Sequence, residues 1–70
     1  VKRAGYEVTA YAYEALMGYQ RLPALVVPTE AAAHAAARAA QQRTGVRPDI
    51  TRLGDGQQWD DVARTWVAPQ

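Results

Sequence analysis

The chain has no cysteine, no serine and a single histidine, His34, in 70 residues. Without cysteine there is no disulfide, no thiol nucleophile, no Cys-ligated zinc and no iron–sulfur cluster, a pattern that fits a reducing compartment. Without serine, and with one histidine, neither a Ser/His/Asp nor a Cys/His apparatus assembles within one chain. An excess of one charge is missing too. Lys+Arg number 8 and Asp+Glu 7, a formal net charge of +1, far from the basic balance of a chain that holds nucleic acid by counterion release. No apolar run approaches the ~20 residues of a membrane span. Lys2 and Arg3 imitate the start of a leader, but Glu7 and Glu14 interrupt the apolar segment that should follow. These absences predict a non-enzymatic, cytoplasmic chain that uses neither cofactor nor metal.

Seventy residues allow one small domain, and a chain this short buries only about 60% of the surface its unfolded form exposes. With no covalent staple, added stability must come from packing, self-association or a partner.

What the chain does have is alanine. Pro28 to Gly45, PTEAAAHAAARAAQQRTG, is the strongest helix signal, because alanine has the best helix propensity and both ends carry capping chemistry. Thr29 is the expected N-cap, with Glu30 in the first turn and Arg43 in the last, where the helix dipole favours each charge. Gly45 is the expected left-handed stop, with Val46 supplying the apolar contact of a Schellman ending and Pro48 forbidding resumption. A step of 100° per residue puts Glu30, His34, Arg38, Gln41 and Gln42 on one arc and Ala32, Ala36, Ala39 and Ala40 on the opposite one. His34 is then a solvated residue in a charged ladder, and the methyl-lined arc lets the helix lie close to a sheet.

Around this rod the sequence reads as strands. In YEVTAYAY, Tyr6 to Tyr13, alternation puts Tyr6, Val8, Ala10 and Ala12 on one side and Glu7, Thr9, Tyr11 and Tyr13 on the other. A competing reading makes Thr9 to Gly18 a helix. LPALVVP, Leu22 to Pro28, suits a strand, and Pro23 argues for an edge position or the strand's start. Asp49 to Leu53 reads as a further strand with a glycine turn at Gly54 to Gly56. The tail is open between a helix and a hairpin that brings Trp59 and Trp66 together in the core. The fold class is α+β: a small antiparallel sheet with one Ala-rich helix packed across one face, ββαββ or ββαβα.

The search for chemistry excludes more than it finds. Asp60 and Asp61 are adjacent, so they diverge on either kind of element and suit a turn better than shared proton work. Glu30 and His34 offer two ligands where a zinc site wants three or four. Gly54-Asp55-Gly56 lacks the lysine of a phosphate loop and the ligand run of a calcium loop.

What remains is a recognition surface. Tyr11 and Tyr13 on the open sheet face, with Thr9 beside them and Arg52 and Arg64 near, suit a protein partner. The alternatives are a nucleic-acid-binding module in which the tyrosines stack on bases with Arg52 and Arg38 nearby, and a homodimer in which a second copy covers them. The outline YEVTAYAY…LPALVV, TEAAAHAAARAAQQRTG, DITRLG and the closing Trp66-Val67 resembles small phage and mobile-element proteins of strand-strand-helix-strand type, some anti-CRISPR proteins among them. That resemblance implies binding to a host protein rather than catalysis. The near-neutral charge does not suit the DNA-mimic variety, which needs an acidic excess.

Overall fold

The structure is a computed structural model that describes residues 4–68, so Lys2 and Arg3 lie outside the described residues. Its elements are β1 (Tyr6–Thr9), β2 (Tyr11–Glu14), β3 (Gly18–Arg21), β4 (Leu25–Val27), α1 (Glu30–Thr44), β5 (Asp49–Arg52), β6 (Gln58–Asp60) and β7 (Thr65–Val67). Five strands form one antiparallel sheet in the order β4-β1-β5-β6-β7, and β2 with β3 forms a separate two-stranded ribbon. The chain is α+β, with α1 lying on β1, β4 and β5.

The helix forms where its caps put it. Thr29 has extended backbone and its hydroxyl accepts from the Ala32 N–H at 3.1 Å; Gly45 closes the helix at φ 75. The ending is the simpler left-handed motif rather than the expected Schellman one. The Gly45 N–H donates to Gln41 C=O at 2.8 Å, while the Val46 N–H donates to the Thr44 hydroxyl. That hydroxyl also donates back to the Ala40 carbonyl at 2.9 Å, which ties the cap to the last turn.

The buried arc is turned from the expected one. Ala33 and Ala40 are buried and Ala36 and Ala37 pack on the core, while Ala39 is exposed. The centre of the arc moves by about 65°, roughly two-thirds of a residue step. Alanine on nearly every side leaves the helix without a steep apolar gradient, so the sheet chooses the face. His34 consequently sits at the boundary rather than in solvent: its side chain is 26% exposed, Glu30 Oε2 lies 3.6 Å from Nε2, and its ring meets Trp59 edge-on at 4.8 Å.

Val8, Ala33 and Ile50 make the buried core, with Tyr6, Val27, Trp59 and Trp66 packed around them. The tail is a hairpin, with Trp59 directly opposite Trp66 and their rings 5.3 Å apart. The Trp pair is half-buried, forming a wall beside α1. Trp66 Nε1 donates to Glu30 Oε1 at 3.2 Å, and Tyr6 lies 5.7 Å from the Trp66 ring.

The YEVTAYAY segment is two strands rather than one. Pairing with β5 and β4 stops at Thr9, Ala10 is buried, and its carbonyl accepts from Leu22 N–H at 2.9 Å, after which the chain continues into the ribbon. The helical reading of Thr9 to Gly18 is excluded, and β3 is a strand that the sequence reading missed. Within Leu22 to Pro28 only Leu25–Val27 is strand, and it lies at a sheet edge as Pro23 suggested.

Candidate interaction surface

The ribbon stands out as an arm. In its register Tyr11 faces Arg21, Ala12 faces Gln20, Tyr13 faces Tyr19 and Glu14 faces Gly18. Directly opposed residues share a face, so Tyr11, Tyr13, Tyr19 and Arg21 line one side of the arm. Tyr13 and Tyr19 meet edge to face at 5.0 Å, and Leu16 and Met17 form the tip. These apolar groups are open to solvent, Leu16 at 92% and Tyr19 at 69% exposure. An isolated two-stranded ribbon is marginally stable in water, and contiguous exposed apolar patches are uncommon on monomeric proteins.

The five residues expected to form one surface are dispersed. Tyr13 is exposed on the arm. Tyr11 is at its base, where its hydroxyl donates to Asp49 Oδ2 at 2.9 Å; that bond to a carboxylate holds its proton and raises its pKa. Both tyrosines belong to the arm and not to the open face of the main sheet. Thr9 is buried at 5% exposure, so it contributes no contact surface.

Arg52 is occupied by its own turn. Its guanidinium donates to both Asp55 carboxylate oxygens, at 3.1 and 2.7 Å, and to Gln57 Oε1 at 2.7 Å, and it lies 4.9 Å from the Trp66 ring centroid. The paired hydrogen bonds hold the Asp55 carboxyl below its usual range and raise the Arg52 pKa. Arg64 is in the β6–β7 turn, away from the arm, with Asp61 at 3.8 Å. Arg38 is on the exposed side of α1 and not on the arm.

Sequence reasoning missed Tyr19, Arg21, Leu16 and Met17. The signal for the first two was alternation in GYQR, opposite that of YAYE. It was weakened by Gly18, whose φ of 74 serves the turn.

The β6–β7 turn stores strain. Asp60 Oδ1 accepts from the Val62 and Ala63 N–H groups, which makes it a turn residue, and Arg64 sits at φ 59, a left-handed conformation that favours glycine. The Cβ penalty there is roughly 1–2 kcal/mol, part of which glycine's extra unfolded-state freedom cancels. Arg64→Gly is therefore expected to stabilise the fold by about 0.5–1 kcal/mol, a rise in Tm of roughly 2–8 °C by thermal melting. The exposed Asp61 contact contributes little to that balance.

A cleft of about 810 Å³ lies between α1 and the β6–β7 hairpin, with His34, Ala37, Ile50 and Trp59 in its lining. Arg47 and Arg64 share Asp61 at its rim, at 3.9 and 3.8 Å. Acidic and basic groups both line it, so it presents no field of one sign. Among the described residues no three His, Cys, Asp or Glu side chains are grouped to hold a metal, and no helix is long and apolar enough to cross a membrane. No protein family matches the chain, and no curated protein or solved structure matches it either.

Proposed function

We propose that the protein is a non-enzymatic binding module that docks on a host protein through the β2–β3 arm. The observation that carries this reading is the concentration of Tyr13, Leu16, Met17 and Tyr19 on a ribbon held away from the core, all four more than half exposed. Rigid tyrosines with few rotatable bonds, beside two flexible apolar side chains, suit a protein interface. A phage or mobile-element origin rests on the resemblance in outline given above.

The test is a paired variant, Tyr13→Ala with Tyr19→Ala. The cross-strand pair contributes about 0.5–1.5 kcal/mol, so the body should keep its circular dichroism spectrum while capture of the partner from host lysate is lost. Unchanged capture by the folded variant would remove the arm as the docking site.

A second reading, nucleic-acid binding, is favoured by one observation: Arg21 lies on the tyrosine face of the arm. It requires a salt-dependent mobility shift with single- or double-stranded DNA that Arg21→Ala weakens. A net charge of +1 stands against it.

A further inference from the structure

We infer that a second copy of this chain pairs with the free edge of β4, through a twofold axis at Val26. The inference goes beyond the arm's docking role and does not depend on it.

The first support is area. The chain exposes 5063 Å², against about 4,300 Å² for a compact monomer of its mass. Its radius of gyration of 12.4 Å likewise exceeds the roughly 11 Å expected for its length. The arm accounts for part of this surplus of about 700 Å², and the exposed Leu25 and Val26 at the β4 edge contribute to the rest. A core centred on Val8, Ala33 and Ile50, with no large side chain fully buried among the described residues and no cysteine for a disulfide, is the kind of small scaffold that association stabilises.

The second support is the character of the two sheet edges. Unpaired edges are usually blunted with charge. At the β7 edge, Arg64 and Asp61 stand in the adjoining turn. The β4 edge has no charge from Leu22 to Pro28, and Leu25 and Val26 are 53% and 54% exposed. Pro23 and Pro28 flank the strand and keep it short, which suits one defined partner and not open-ended stacking.

The third is symmetry. A closed dimer needs a self-complementary patch, and a three-residue antiparallel edge supplies one when its centre lies on the axis. Val26 then opposes Val26 of the second copy, Leu25 opposes Val27, and two five-stranded sheets become one. Because the strands run in opposite directions, the arms leave at opposite ends and their tips stay free. A net charge of +1 per chain offers little repulsion.

The absence of native cysteine makes the test clean. Directly opposed antiparallel residues have Cα atoms about 4.5–5.5 Å apart, within the ~4.4–6.8 Å that a disulfide spans. Val26→Cys should oxidise to a covalent dimer at least about tenfold faster than Val62→Cys, although Val62 is the more exposed, at 84%. Light scattering of the unaltered protein should give twice the chain mass. Val26→Lys should give the chain mass with its spectrum retained, and Leu16→Ser at the arm tip should leave the dimer intact. A monomer mass for the unaltered protein at every concentration, or a Val26→Cys chain that cross-links no faster than Val62→Cys, would overturn the inference.

Discussion

Replacing Ile50 by alanine removes about half of the stability of this fold. Ile50 is 4% exposed, lies opposite Val8 in the β1–β5 register, and is one of the three residues at the centre of the core. Truncating a buried isoleucine to alanine costs about 2–5 kcal/mol, the larger values applying where the surroundings cannot collapse into the space. Collapse is restricted here because Ala33, fully buried above the sheet, has no side chain long enough to reach into the gap. A chain of this length has roughly 4–10 kcal/mol in total, so the variant should lose about half of it and melt at a markedly lower temperature. Val62→Ala, on an 84% exposed side chain in the β6–β7 turn, should change stability by less than about 0.5 kcal/mol. If the two variants melt together, the core is not where the structure places it. Melting should be followed at more than one protein concentration, because a dimer makes Tm depend on it.

The parts of the molecule legible in the sequence are those fixed by local chemistry. Thr29, Glu30, Arg43 and Gly45 each act within one turn of α1, and the helix begins and ends where they require. The α+β class followed from strand-like runs around that helix, and Pro23 correctly announced an edge. Elements that depend on distant partners were harder. Alternation continues through Ala10, so Tyr6 to Tyr13 reads as one strand. The break appears only because Leu22 takes the Ala10 carbonyl while the main sheet ends at Thr9. The strand Gly18–Arg21 has no apolar run of its own, since it is held by a ribbon partner and not by burial.

The candidate surface shows the same division. Tyr13 was identified because the alternation in YEVTAYAY puts it with Tyr11 on the side away from Tyr6 and Val8. Its opposite residue Tyr19 and the tip residues Leu16 and Met17 needed the register of β2 on β3. Arg52 looked available because its sequence neighbourhood shows no acid closer than Asp55, three residues away; the turn that brings them to 2.7 Å is a product of the fold.

The orientation of α1 gives the second large effect. Ala33→Leu should destabilise the protein by about 1–3 kcal/mol, because added methylenes in a packed contact force backbone shifts or poor rotamers. Ala33 is 0% exposed and packs with Val8 and Ile50, so the leucine has nowhere to go without lifting the helix from the sheet. Lifting it would also pull Glu30 from the Trp66 indole N–H and His34 from the Trp59 ring. Ala39→Leu is the counterpart. Ala39 falls within the arc that the 100° pattern assigned to the sheet, yet it is exposed, and leucine is nearly as good a helix former as alanine. That variant should stay within about 0.5 kcal/mol of the unaltered protein. Urea titration of both variants measures the rotation directly. A large loss at position 39 with little at 33 would restore the arc read from the sequence and return His34 to solvent, whereas the reverse order fixes it against the Trp59 wall.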